Sequence, residues 1–180
     1  MPFKFEKTPI EGVMIITPQV FEDSRGFFLE SFKKSEFEKN GIAEDFVQDN
    51  HSLSDTGVLR GIHFQINPYA QGKLVRVIKG AVWDVAVDLR KDSPTYGQHL
   101  GIELNEDNNK MFYIPPGLGH GFLTLKDKTH FLYKCTSEYA PRADSGVRWD
   151  DPSLNIQWPI SDNINICVSD KDQKLSFWEK

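Results

Sequence analysis

The sequence predicts a mainly β fold, a sandwich or barrel of short antiparallel strands with a few short helical additions. Three observations carry this reading: several runs alternate apolar and polar residues with period two, turn residues punctuate the chain between them, and aromatic residues, which favour strands, make up 12% of the 180 positions. The clearest run is Ala81-Val82-Trp83-Asp84-Val85-Ala86-Val87-Asp88-Leu89, apolar at every odd position, which reads as a half-buried strand. Leu100, Ile102 and Leu104 alternate with Gly101, Glu103 and Asn105, while Phe131, Tyr133 and Cys135 share a face opposite His130, Leu132 and Lys134. Between such runs stand Asp55-Thr56-Gly57, Asn67-Pro68, Lys79-Gly80, Ser93-Pro94, Pro115-Pro116-Gly117 and Asp144-Ser145-Gly146. One helix is expected from an N-cap at Ser35 to Asn40-Gly41, and a second from Ser169 with Asp170 to Asp172 in its first turn. Without repeats, linkers or low-complexity tracts, residues 1–180 read as a single domain.

The bulk properties narrow the function. A net charge of −5 with no basic block offers no footprint for nucleic acid and no polybasic membrane patch, so an anionic ligand would need local cations. Cys135 and Cys167 have neither metal-type spacing nor a framework pattern, which points to reduced thiols in the cytosol. Lys4, Glu6 and Lys7 interrupt the apolar residues of the first ten positions, and no run matches a signal peptide or membrane helix. The expectation is a soluble cytoplasmic protein.

Two segments draw attention for chemistry. In Arg60-Gly61-Ile62-His63-Phe64-Gln65, Gly61, His63 and Gln65 share one face of a strand, and Pro115-Pro116-Gly117-Leu118-Gly119-His120 fits a Pro-x-Gly-x-x-His pattern. Together they resemble the two cupin motifs. A metal-binding cupin would show a His-x-His pair and a following Glu; here Gln65 stands for the second histidine and no Glu follows at suitable spacing, so no metal is expected. Free of metal, His63 suits a general base if a carboxylate supports it, and Asp170 is the carboxylate chosen for that partnership. The plainer readings are a core histidine and a helix-dipole acid. Lys73 shares a face with Val75 and Val77, which points its ammonium toward a barrel interior unless it is an edge-strand lysine reaching water. Tyr133 reads as a core aromatic or as a phenolic proton donor. Arg25, in the turn-like Asp23-Ser24-Arg25-Gly26, and Arg60 are both able to fork onto phosphate oxygens. Strict alternation puts Arg60 opposite His63, so both serve one site only if Gly61 introduces a bulge or Arg60 reaches around a strand end.

In order and spacing, Asp23-Ser24-Arg25-Gly26-Phe27-Phe28-Leu29-Glu30, Gln48-Asp49-Asn50, Leu59 to Gln65, Gln71-Gly72-Lys73-Leu74-Val75-Arg76-Val77, Asp84 to Arg90, Ser93-Pro94-Thr95-Tyr96-Gly97, Pro115 to Phe122, Tyr133-Lys134-Cys135, Trp149-Asp150-Asp151-Pro152 and Ser169-Asp170-Lys171-Asp172 resemble one family along nearly the whole chain. That family is the dTDP-4-dehydrorhamnose 3,5-epimerases. The resemblance implies a cupin-type double-stranded β-helix, or jelly-roll barrel, with neither metal nor organic cofactor. It implies a dTDP-sugar substrate and a homodimer in which Arg25, Phe28 and Glu30 of an N-terminal strand complete the neighbour's nucleotide site. By the same resemblance His63 with Asp170 is the base, Tyr133 the acid on the opposite face, and Lys73 the stabiliser of the enolate oxygen. His120 lines the sugar pocket, Gln48, Asn50, Arg60 and Lys171 hold the diphosphate, and Tyr139 stacks on thymine. The competing readings are a monoepimerase for another deoxysugar, a metal-dependent cupin using His63 and His120, and a binding module that exchanges no protons.

Overall fold

The alternation seen in the sequence folds into two facing antiparallel sheets. The computed structural model describes residues 2–161 and 163–179. In chain order its elements are β1 (Phe3–Lys7), β2 (Met14–Pro18), β3 (Val20–Asp23), β4 (Gly26–Leu29), α1 (Lys34–Lys39), β5 (Gln48–Ser54), β6 (Val58–Gln65), β7 (Lys73–Lys79), β8 (Ala81–Asp88), β9 (His99–Asn105), β10 (Met111–Ile114), β11 (Leu118–Thr124), β12 (Thr129–Cys135), β13 (Asp144–Gly146), β14 (Cys167–Val168) and α2 (Asp170–Gln173). The first sheet runs β1-β2-β10-β7-β12-β5 and the second β13-β6-β11-β8-β9, with the short β14 parallel to β6. The hairpin of β3 and β4 pairs with neither sheet. Among the described residues no helix is long and apolar enough to cross a membrane.

Between the sheets lies the principal core. Val75 and Val77 of β7, Phe112 and Ile114 of β10 and Phe131 of β12 meet Val82 and Ala86 of β8, Leu104 of β9 and Leu118 and Phe122 of β11. Each sheet is also covered on part of its outer face. On the first, Phe37 of α1 is fully buried with Phe3, Ile16, Ile42 and Tyr113. Burying one such phenylalanine contributes about 2–3 kcal/mol, which explains why this six-residue helix survives with a poor start. It opens at Lys34 rather than after a Ser35 cap, and Lys33 occupies the N-cap place without a side-chain hydrogen bond. Its end follows expectation, with Gly41 left-handed at φ 89°.

On the second sheet, Val147, Leu154, Ile156, Trp158 and Trp178 cover Ile62, Val85, Val87 and Trp83. This layer corrects the reading of residues 81–89. The strand is buried on both faces: its odd apolar residues meet the outer layer, and the even face, Val82, Asp84 and Ala86, lines the barrel interior. An acid on that face is therefore inside.

One irregularity positions the site. Along β6 and β11, His63 pairs with His120 but Arg60 pairs with Phe122, so β6 carries one residue more than its partner between these pairs. Residues paired directly across a ladder point to the same face, so the bulge turns Arg60 to the inner side with His63 and removes the conflict that strict alternation posed. Gly61, at φ 111°, makes the bulge feasible: a Cβ there would lie 2.6 Å from both the Gly121 Cα and the His120 carbonyl oxygen. Gly26, in the hairpin turn, has φ 119° and open space around a Cβ. Gly26→Ala should therefore cost only the backbone term, about 1 kcal/mol, whereas Gly61→Ala should cost about 3 kcal/mol or more by adding a backbone clash. Urea denaturation of the two variants measures the difference, and equal losses would refute the packing argument.

Candidate active site

The bulge leaves the Gly61 N–H free of its ladder, and a carboxylate from the far end of the chain accepts it. Asp172 Oδ2 lies 3.1 Å from that nitrogen, and Oδ1 lies 2.7 Å from His63 Nε2. Asp172 is only 3% exposed. Burial alone would raise its carboxyl pKa, but hydrogen bonds from His63, from the Gly61 N–H and from Ser169 hold it below the ordinary value. With the Nε2 proton directed at Asp172, Nδ1 of His63 carries the basic lone pair.

The partner expected for His63 was Asp170, and the structure corrects this to Asp172. Ser169 caps α2, its hydroxyl oxygen accepting the Asp172 N–H. Asp170 and Asp172 then stand two residues apart in a single helical turn, about 200° around the axis. One acid faces β6 and the other, Asp170, is exposed.

Lys73, on the opposite sheet, points inward as its phase with Val75 and Val77 predicts. It is 9% exposed, and its ammonium is 3.5 Å from the His63 carbonyl oxygen. Burial pushes its pKa below the ordinary lysine value, against the pull of Cys135, Asp84 and Asp144. Tyr133 stands two residues from Cys135 on the same inner face of β12, and burial raises its phenol. His63 thus projects from the second sheet and Tyr133 from the first into one cleft of about 270 Å³, which Gln48, Asn50, Gln71, Lys73, Tyr139, Asp144 and Lys171 also line. Deeper in, His120 is 5% exposed and directs Nε2 at both oxygens of Asp84, 2.9 and 3.1 Å away. Burial drives its pKa down even beside that carboxylate, which favours neutral imidazole.

Gln65, in the place of a metal-cupin histidine, has a structural task. Its amide donates to the Tyr69 and Glu138 carbonyls and accepts from the Ala140 N–H, tying down the exit of β12. The described residues contain no group of three histidine, cysteine or acidic side chains placed to hold a metal. At the rim, Tyr139 is 53% exposed, its hydroxyl donates to Asp144 and its N–H donates to Gln48. Lys171 pairs with the same Asp144, and Gln48 donates to Asn50. Arg60 shares the inner side. Arg25, Phe28 and Glu30 do not join this cleft. They sit on or beside the β3–β4 hairpin, where Arg25 forks onto its own Asp23 and Phe28 is 65% exposed.

An imidazole and a phenol on opposite walls beside a buried amine are able to support proton transfer next to a carbonyl, and comparison with known proteins names a chemistry of that kind. The family model described as dTDP-4-dehydrorhamnose 3,5-epimerase matches residues 7–180. The chain belongs to that family. It is 50% identical over 171 residues to the dTDP-4-dehydrorhamnose 3,5-epimerase of Methanothermobacter thermautotrophicus, covering 95% of this chain and 92% of the relative. The Bacillus anthracis enzyme, solved with TDP and pyrophosphate bound, superposes with a TM-score of 0.94 at 44% identity, covering 98% of this chain and 99% of the other. The Legionella pneumophila enzyme, solved with dTDP-4-keto-L-rhamnose, gives 0.93 at 43%, covering 97% and 92%. The fold is cupin-like, and the chain is an isomerase, an epimerase acting on a sugar nucleotide.

Sequence reasoning missed Asp172, Asp84 and Asp144 as members of the site. For Asp84 a signal existed, since an acid between Val82 and Ala86 on a strand buried on both faces needs a partner. The two candidate acids of α2 are separable by experiment: Asp172→Asn should lower kcat about 10²–10⁴-fold, in the range for disabling a supported general base, while Asp170→Asn should stay near wild type. The reverse order would overturn the pairing.

Proposed function

We propose that the chain converts dTDP-4-dehydro-6-deoxy-D-glucose to dTDP-4-dehydro-L-rhamnose, with His63 as base, Tyr133 as acid and Lys73 as the cation that receives enolate charge. The observation that carries this reading is the placement of His63 and Tyr133 on opposite walls of one cleft, with the Lys73 ammonium buried between the sheets. Both inverted carbons flank the C4 ketone, so removing either proton places charge on the same carbonyl oxygen. His63 Nδ1 takes the proton from one face, and the electron pair moves into the enolate beside Lys73. Tyr133 returns a proton from the other face; exchange with solvent then takes the abstracted proton from His63 and restores one to Tyr133. Reorientation of the ring presents the second carbon to the same pair, and His120, held by Asp84, lines the sugar pocket.

Gln48, Asn50, Arg60 and Lys171 hold the diphosphate in this proposal, and Tyr139 stacks on thymine. This remote binding anchors the nucleotide while the ring turns. Residues 1–180 act as one epimerase domain in the cytoplasm. A second copy of the chain supplies Arg25, Phe28 and Glu30. Support for that exchange comes from the hairpin itself: two strands hydrogen-bonded only to each other are marginal in water, yet this pair exposes Phe21, Phe27 and Phe28 at 52%, 62% and 65%.

Proton NMR of the substrate in heavy water tests the chemistry. Deuterium should enter at both carbons flanking the ketone, His63→Ala should abolish it, and Lys73→Met should slow it about 100-fold or more, a loss typical of removing one oxyanion-stabilising group. Lys73→Met should also hold or raise the Tm. The folded pKa of Lys73 lies below its unfolded value, so protonation opposes folding at neutral pH, and removing the amine removes that cost. Deuterium at one carbon would identify a monoepimerase, and none would overturn the reading.

Mixing His63→Ala with an Arg25→Ala/Phe28→Ala double variant tests the exchanged arm. Neither is active alone, but a hybrid dimer concentrates both defects in one site and leaves the other intact. Random reassortment at equal amounts should restore about a quarter of the wild-type activity; no restoration would refute the arm exchange.

A further inference from the structure

Trp149-Asp150-Asp151-Pro152 belongs to the family pattern, yet none of it reaches the cleft. Its contacts lead instead to the element that carries Asp172. α2 has four residues, too few to be stable alone, and upstream of it stands the two-residue β14, whose Val168 carbonyl accepts the Gln173 side-chain amide. What fixes its far end is Arg148. The guanidinium donates through Nη1 to the Gln173 carbonyl oxygen at 3.0 Å, covering an otherwise orphaned carbonyl at the last residue of α2. Asp150 holds that guanidinium in a two-point fork, Nε at 2.8 Å and Nη2 at 2.7 Å. The Arg148 N–H donates to the Ser176 carbonyl, and its side chain lies 4.9 Å from the centre of the Phe177 ring. Asp151, 2% exposed, finishes the attachment: its carboxylate accepts the N–H groups of Ser153, Leu154 and Trp178. Trp178 in turn packs against Tyr96 and over Gly97, where a Cβ would lie 2.6 Å from the indole.

We infer that Arg148 is a positioning residue for the epimerisation: steered by Asp150, it clamps the C-terminal end of α2 and so holds Asp172 at hydrogen-bonding distance from His63 and Gly61. The inference rests on the reading of His63 and Asp172 as a working pair. Arg148 is 29% and Asp150 35% exposed in their side chains, and a pair so accessible to water adds little to global stability. Its loss should therefore be felt at Asp172 before it is felt in the fold.

A double-mutant cycle on kcat tests this, with thermal melting as the control for folding and deuterium uptake into the dTDP-sugar as the assay for slow variants. Arg148→Met should lower kcat about tenfold, leave KM within about twofold and move Tm little. Arg148→Lys, which keeps a donor for the Gln173 carbonyl, should recover part of the loss. In the Asp172→Asn background, Arg148→Met should cause no further loss, because the contact it supports is already gone. An equal loss in both backgrounds, a change in KM alone, or an unchanged kcat would overturn the clamp. If Asp172→Asn kept wild-type kcat, the pairing with His63 would itself fall and the clamp with it, whereas a damaged Asp172→Asn beside a healthy Arg148→Met would remove the clamp alone.

Discussion

The site depends on one extra backbone residue at Gly61. In a regular ladder that N–H would pair across the strand, and Arg60 would point away from His63. The bulge changes both at once, turning Arg60 inward and leaving an N–H that Asp172 accepts beside His63. Glycine is required because the strand passes so near Gly121 that no side chain fits. A buried carboxylate needs donors, and here a backbone amide and an imidazole supply them at fixed positions. The orientation of the His63 ring is thus built into the sheet.

The barrel interior also sets the electrostatics. Lys73 in the wall of the cleft and His120 and Asp84 behind it all have little access to water, and there burial penalises charged forms. Hydrocarbon in their places would make a more stable barrel. Retaining them costs stability and keeps a desolvated amine and an imidazole where, on the proposed reading, negative charge develops during reaction.

Much of this was legible in the sequence because strand periodicity fixes side-chain direction. Val75 and Val77 announced the inward Lys73, Phe131 announced the inward Tyr133, and Gly61 marked the place of the bulge. Two matters were not legible for physical reasons. Both candidate acids of α2 lie in one turn after the same cap, so only three-dimensional contact chooses Asp172. The inner face of β8 is hidden from sequence reasoning because the layer covering its odd residues is built by Val147, Leu154, Ile156, Trp158 and Trp178, which lie in turns and irregular chain and follow no period. Asp84 looked like a solvent-facing acid on a strand that has no solvent-facing side.

The cleft between the sheets holds about 270 Å³, below the range of about 300–1,000 Å³ that encloses a drug-sized ligand. A sugar nucleotide therefore cannot be swallowed whole. On the proposed reading the hexose enters between the sheets, and the rest of the ligand stays at the exposed rim by Tyr139 and Lys171. On that reading, recognition and reaction take place in two different surroundings. Dissolved ions screen the rim contacts strongly and the buried groups weakly, so ionic strength acts on how firmly the molecule is held and hardly on how fast its carbon acid is broken.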